Sequence, residues 1–206
     1  MIFMVYEIEA RGPLSKEKYA ELVELFEQNG FFKEKRERLF IDYSALLKGQ
    51  EPERRNLDIR ARITNGIPEI VIKSGKWQAT NSREEVSCLL QKGEFSHLVK
   101  AFALLGYKKG VLCIRKSFVY EYQGVEFALI EVPDHSYFFE AEKMTQVKEE
   151  STIIINEIKT ICTGLGLHVF SDAEWFDYIE TLNKEANKIF DFEIDGENYF
   201  SEIYNI

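Results

Sequence analysis

The sequence predicts an α+β fold: a closed antiparallel eight-stranded β-barrel, or tunnel, with flanking helices. Three observations carry this expectation. Segments with two-residue alternation fill most of the first two-thirds of the chain. Four segments with helical apolar periodicity punctuate them. About eight strands in a 206-residue chain are also hard to protect at their edges unless the sheet closes.

The elements follow in order. From Ile2 to Arg11, one face carries Ile2, Met4, Tyr6, Ile8 and Ala10, and the other ends in Glu7, Glu9 and Arg11. After Ser15, an N-cap residue, Tyr19, Leu22, Val23 and Phe26 recur at helical spacing. A further strand lies around Arg38 to Ser44. From Leu57 to Thr64, Leu57, Ile59, Ala61 and Ile63 oppose Asp58, Arg60, Arg62 and Thr64. Ile70 and Ile72 then alternate with Glu69, Val71 and Lys73. Between Arg83 and Leu89, Arg83, Glu85 and Ser87 oppose Glu84, Val86 and Cys88. Phe95, Leu98, Val99 and Phe102 form a helical stripe before Gly106. A long hairpin runs from Val111 to Tyr122, turns at Gln123-Gly124, and returns from Val125 to Val132. A last strand spans Ser136 to Glu142. Ile154, Ile158, Ile161 and Cys162 make a third stripe, ended by Gly164. Trp175, Tyr178, Ile179 and Leu182 make a fourth, after Ser171.

The length fits one domain, residues 1–185, with 186–206 as an extension of it. The tail from Asn187 to Ile206 has two candidate roles, a plug for one barrel end or a dimer contact. With 26 basic and 35 acidic residues the chain carries −9, which disfavours a general nucleic-acid binder. No apolar run reaches the ~18 residues of a membrane span. Met1 to Tyr6 is too short for a signal sequence. The three cysteines, Cys88, Cys113 and Cys162, form no CxxC pattern, so a reducing cytoplasm is expected. The expected partner is a small molecule, with no nucleic acid and no membrane, and the chain is expected to be a monomer or homodimer.

The polar strand faces are the informative part. An ordinary solvated face mixes charges with Ser, Thr, Gln and Lys. Here the faces carry Glu7, Glu9 and Arg11; Arg60 and Arg62; Lys73; Arg83 and Glu85; Arg115; and Glu140 and Glu142. Doublets two residues apart point the same way. If the sheet closes, these side chains line one lumen. Arginine offers planar bidentate donors matched to phosphate. Paired carboxylates suit Mg²⁺ or Mn²⁺, which also bridge phosphates. The two sets together describe a polyphosphate–metal site.

At Glu7-Ile8-Glu9-Ala10-Arg11 the chain resembles the CYTH family, the triphosphate tunnel metalloenzymes, whose hallmark is an N-terminal ExExK. Arg60-Ala61-Arg62 is similar to the family's RxR strand, and Lys73 falls on the lysine of the next. Arg83 and Glu85 match a basic and an acidic position. Leu105-Gly106-Tyr107 resembles the family's LGF, Arg115 takes a basic hairpin position, and Glu140-Ala141-Glu142 resembles the terminal ExE. The aromatic segment Trp175 to Leu182 is similar to the C-terminal helix. The resemblance covers roughly residues 1–185.

The resemblance implies a metal-dependent hydrolase of triphosphate-containing substrates: tripolyphosphate, or nucleoside or thiamine triphosphate. Arg11, Arg60, Arg62, Lys73, Arg83 and Arg115 would hold the phosphate chain. Glu7, Glu9, Glu85, Glu131, Glu140 and Glu142 would bind Mg²⁺ or Mn²⁺, with Arg11, Glu9 and Arg60 at the catalytic centre. Two alternatives use the same tunnel: an adenylyl cyclase making cyclic AMP from ATP, and a polyphosphate-binding protein without catalysis. Three positions depart from the family. Arg11 replaces its lysine, Ser117 stands where a second basic residue is usual, and Ile130 aligns with an aspartate. A one-residue bulge would bring the neighbouring Glu131 inward instead.

Other features read as structural. His97, His135 and His168 stand in unlike contexts and are expected to be structural or surface residues. Cys113 shares a face with Arg115 and is expected to be a buried thiol. Lys33 to Arg38 is expected to be the solvated start of a strand, with Arg36 or Arg38 within reach of a tunnel mouth. No Gly-rich phosphate loop and no GxSxG occur.

Overall fold

The computed structural model describes residues 6–206, so Ile2 and Met4 of the first predicted strand lie outside the described residues. Eight strands form the barrel: β1 (Tyr6–Leu14), β2 (Phe31–Asp42), β3 (Leu57–Thr64), β4 (Ile67–Ser74), β5 (Thr80–Leu89), β6 (Lys109–Tyr122), β7 (Val125–Val132) and β8 (Ser136–Thr145). Their spatial order is β2-β3-β4-β5-β1-β8-β7-β6, and β6 pairs back onto β2 to close the ring. Every pairing is antiparallel. The expected fold class is therefore the observed one. In this ring β2 lies four strands from β1 in both directions, so the two face each other across the lumen.

The barrel is polar inside and apolar outside, and the helices cover its outer face. Ile8 and Ala10 of β1, Phe127 and Leu129 of β7, and Phe139 and Ala141 of β8 point outward. They pack on Leu22 and Phe26 of α1 (Lys16–Asn29) and on Ile154, Ile158 and Cys162 of α3 (Ser151–Gly164). Ile59, Ala61 and Ile63 of β3 pack on Phe95, Leu98 and Phe102 of α2 (Phe95–Leu104). Where a strand buries its outward residues under helices, as β1, β3, β7 and β8 do, alternate residues are forced inward, whatever their charge. The β6–β7 turn has positive φ at Gln123 (52°) and Gly124 (73°), the geometry of a tight hairpin turn.

α4 (Asp172–Glu185) is different, because it lies on the inner face. Its Leu182, Tyr178 and Ile179 cover Val119 of β6, Ala128 and Ile130 of β7, and Phe138 of β8. The chain reaches this position by crossing β1 closely, with Phe170 N–H donating to the Arg11 carbonyl at 2.8 Å. Gly12 permits the crossing: a Cβ there would sit 1.8 Å from the His168 carbonyl oxygen. Ser171 caps α4 in a reciprocal box with Glu174. Asp172 then accepts from Ala79 N–H at 3.0 Å and from Gln78 Nε2 at 2.8 Å, which fixes the helix to the β4–β5 connection.

The tail adds elements that the sequence pattern did not reveal. β9 (Lys188–Asp191) pairs with β6, and two short helices follow, α5 (Phe192–Asp195) and α6 (Tyr199–Tyr204). Phe190 and Phe200 pack on the outer side, Phe200 edge-on to Phe95 of α2 with ring centroids 5.0 Å apart. The tail's aromatics therefore build the outer core and do not plug the barrel. Among the described residues, no helix is long and apolar enough to cross a membrane.

Candidate functional site

The lumen encloses a cavity of about 610 Å³, a size typical of small-molecule sites. Among the described residues, eight basic and eight acidic side chains line it. The cavity is thus formally neutral inside a chain of net −9, and what distinguishes its regions is how those charges pair.

The acidic wall is made by β1 and β8. Glu7, Glu9 and Arg11 alternate inward on β1, and Glu140 and Glu142 alternate inward on β8. Register places Glu9 opposite Glu142 and Arg11 opposite Glu140. Glu7, Glu9 and Glu142 each offer a carboxylate oxygen, and the three oxygens lie within 4.8 Å of one another. Their environments differ. Burial would raise the Glu9 carboxyl, but Arg11, Lys73 and Arg83 hold it well below the usual carboxylate range. Burial and the neighbouring Glu7 and Glu9 push Glu142 well above that range. Glu142 is also the one acidic cavity residue that forms no ion pair among the described residues.

Around this wall runs a buried ion-pair network. Lys73 of β4 reaches Glu7 and, at 2.8 Å, Glu85 of β5. Arg83 of β5 lies behind the cavity wall at 1% exposure, bonded to Asp58 at 2.7 Å and Glu9 at 3.1 Å. Asp58 of β3 is fully buried and also accepts from Arg60 at 2.8 Å and from Arg55. Burial would raise its carboxyl, but Arg60, Arg55 and Arg83 together hold it far below the usual range. Arg55 bonds Asp42 at 2.6 Å and stacks 4.8 Å from the Trp77 ring. Arg60 lies over Phe40, and its Nε is buried without a partner, a donor that a ligand oxygen would satisfy.

Arg11 is held by several contacts. It pairs with Glu9, donates to Glu140 at 2.9 Å and to the Gln78 carbonyl at 3.2 Å, and lies 4.8 Å from the Trp175 ring. It therefore links the acidic wall to α4. Arg62 is forked onto Glu69, its Nη2 at 2.9 Å from Oε2.

The opposite wall is made by β2 and β6. Arg38 of β2 and Arg115 of β6 are direct cross-strand partners, and both line the cavity. Arg38 donates to the Thr64 hydroxyl at 3.2 Å, and Arg115 to the Asn187 side chain at 3.1 Å and its neighbour's carbonyl at 2.7 Å. Neither forms an ion pair with a carboxylate among the described residues. Burial, with Arg62 and Arg36 nearby, lowers the Arg38 guanidinium to about 10.

The structure brings Glu7, Glu9, Arg11, Arg60, Arg62, Lys73, Glu85, Arg115, Glu140 and Glu142 to one cavity, as their strand faces predicted. Glu131 is not brought there. No bulge interrupts the β6–β7 or β7–β8 registers, so Glu131 faces outward, opposite Lys116, on the side of Tyr19. Ile130 does face inward, but its place is a seat beneath Leu182 of α4. The inward acid of β7 is Glu126, directly opposite Glu142 and bonded to Lys33 and, at 2.9 Å, to Arg36. Sequence reasoning also missed Asp42, Arg55 and Asp58. Arg55 lies outside any strand, and Asp58 was visible only as a neighbour of Arg60 in the same alternation. Cys113 is a buried thiol, pushed up to about 11 by burial. The three histidines are exposed, each beside a glutamate.

No protein-family model matches the chain, and no curated protein matches it. Solved structures do. The PH1819 protein of Pyrococcus horikoshii OT3 is similar at 20% identity with a TM-score of 0.66, over 85% of this chain and 98% of that one. A candidate adenylate cyclase from Vibrio parahaemolyticus shares 12% identity with a TM-score of 0.56, over 82% and 91%. The candidate adenylyl cyclase HpAC1 from Hippeastrum, described as having a dominant triphosphatase activity, shares 16% identity with a TM-score of 0.55, over 86% and 96%. At these identities, what this chain shares with all three is the fold, a closed β-barrel with helices packed around it.

Proposed function

We propose that this protein binds a triphosphate chain together with Mg²⁺ or Mn²⁺ in the barrel lumen and hydrolyses a phosphoanhydride bond of that chain. One observation carries the reading: the unpaired charges of the lumen are sorted onto opposite walls. On β8, Glu142 lacks a cation and crowds Glu7 and Glu9. On β2 and β6, Arg38 and Arg115 lack an anion. A lumen that served structure alone would pair these charges, because unpaired buried charge is costly. A metal–polyphosphate complex supplies both missing partners. The resemblance to the CYTH family and the triphosphatase activity described for HpAC1 point the same way.

The three carboxylates suit a hard divalent ion that takes oxygen ligands, so Glu7, Glu9 and Glu142 would hold it. Bound there, such an ion would neutralise charge on the transferring phosphoryl group. The chain's own residues do the rest. Arg60 and Arg62 of β3 and Arg115 of β6 project toward the lumen and would fix the phosphate oxygens in line. Lys73 holds Glu7 and Glu85 in position. Arg11 orients Glu9 and Glu140. A water attacks the phosphorus, the bridging oxygen leaves with its electron pair, and the proton passes to a lumen carboxylate.

The test is a product analysis with tripolyphosphate and with ATP in the presence of Mg²⁺ or Mn²⁺. Orthophosphate release from either is the expected result. Cyclic AMP and pyrophosphate from ATP would instead establish the cyclase, and binding without turnover the non-catalytic alternative.

A further inference from the structure

We infer that Arg38 and Arg115 form a two-arginine seat for one phosphoryl group, on the wall opposite the carboxylate trio. The inference rests on the proposed triphosphate-binding function and assigns a binding role to Arg38, a β2 residue that the sequence motifs leave out. Three observations meet here. First, antiparallel register makes the two arginines direct neighbours, and both line the cavity. Like charges directly opposite in a sheet destabilise it. Second, every other basic residue lining the cavity (Arg11, Arg36, Arg55, Arg60, Arg62 and Lys73) has a carboxylate partner, whereas these two have none among the described residues. Third, Ser117, two residues beyond Arg115 on the same inward face, is small and uncharged, and its cross-strand partner on β2 is Arg36, already paired with Glu34 and Glu126. The free positive charge beside Arg115 therefore comes from the neighbouring strand, through Arg38.

The seat has a geometry that suits phosphate. Each guanidinium is a planar fork of donors matched to phosphate oxygens, and the two stand at the same register position on neighbouring strands. With β2 four strands from β1, the seat lies across the lumen from the acidic wall, within electrostatic reach of Glu140 of β8. A phosphate chain held there would have one phosphoryl group on the arginine seat and extend toward the carboxylate wall.

The test is tripolyphosphate binding by calorimetry, with EDTA present so that the carboxylate trio plays no part, on the whole chain and on Arg38→Gln and Arg38→Lys. Wild type is expected to bind. Arg38→Gln is expected to lose affinity by about ten- to a hundredfold, since hydrogen bonds to charged groups are the strong ones. Arg38→Lys, which keeps the charge but not the fork, should fall between them. The ligand-free Arg38→Gln protein should melt at an equal or higher temperature than wild type, because a like-charge contact is gone. Affinity within twofold of wild type in Arg38→Gln would overturn the seat. So would failure of Arg38→Gln to fold, since an unpaired guanidinium contributes little to the free structure. No tripolyphosphate binding by wild type in EDTA would also overturn the seat, and no binding with Mg²⁺ supplied in place of EDTA would overturn the function reading beneath it.

Discussion

Glu9 and Glu142 stand directly opposite each other on β1 and β8, and both carboxylates point into the lumen. Glu9 is neutralised by Arg11 and Arg83, whereas Glu142 has no ion-pair partner among the described residues. Burial and its acidic neighbours raise the Glu142 carboxyl well above the usual range. A raised acid adds stability below its ordinary value and loses it as pH rises through the raised one. Glu142→Gln should therefore melt above wild type at pH 8 in EDTA, with the difference vanishing near pH 4. Manganese should raise the wild-type midpoint and leave the variant unmoved. Melting curves at the two pH values check both, and a variant less stable than wild type at pH 8 would contradict this account of Glu142.

Asp58 behaves in the opposite way. It is fully buried and joins Arg55, Arg60 and Arg83. Its lowered carboxyl supplies stability above the ordinary aspartate value, and that stability is lost as pH falls below it. Asp58→Asn removes the carboxylate that three buried guanidiniums share, taking Arg60's ion-pair partner and one each from Arg55 and Arg83, and should cost about 3–5 kcal/mol, or roughly 10 °C in Tm. A loss below about 1 kcal/mol would show the network to be dispensable.

Ile130 tests what lies beneath α4. If the position were a vacant metal site, Ile130→Asp would restore a ligand. The structure instead buries it under Leu182 and Ile179. Ile130→Asp should destabilise the fold by about 3 kcal/mol or more and gain no metal affinity. Denaturant unfolding with and without manganese separates the two.

Arg11 carries a related expectation. Lysine cannot reproduce its bonds to Glu9, Glu140 and the Gln78 carbonyl together with its stacking on Trp175. Arg11→Lys should lower Tm and leave phosphate release unchanged or reduced. A several-fold rise in release would mean that arginine at this position restrains the site.

The barrel was legible because its inward residues are charged doublets two apart, such as Glu7/Glu9 and Arg60/Arg62, while its outward residues are apolar. Alternation alone then fixed which residues share the lumen. Arg36 and Arg38 were harder to place, because the run Lys33 to Arg38 is charged on both faces and hides its own alternation. Glu131 was misplaced because an acid next to an expected position invites a bulge, and only the pairing register rules it out. α4 has an ordinary amphipathic pattern, so nothing in its sequence says that its apolar face meets the inside of a barrel. The close crossing at Gly12 decides that, and it is a contact between distant segments. In the tail, β9 spans four residues and its partner β6 lies far back along the chain.

The central claim is that carboxylates and arginines of one lumen act together on a metal-bound triphosphate chain. Phosphate release from tripolyphosphate, with Mg²⁺ or Mn²⁺ or with EDTA, tests it most directly when wild type is set beside Glu140→Ala/Glu142→Ala. The account predicts release by wild type that requires the metal and falls at least tens-fold in the folded double variant. Release that survives both EDTA and the loss of those carboxylates would contradict it.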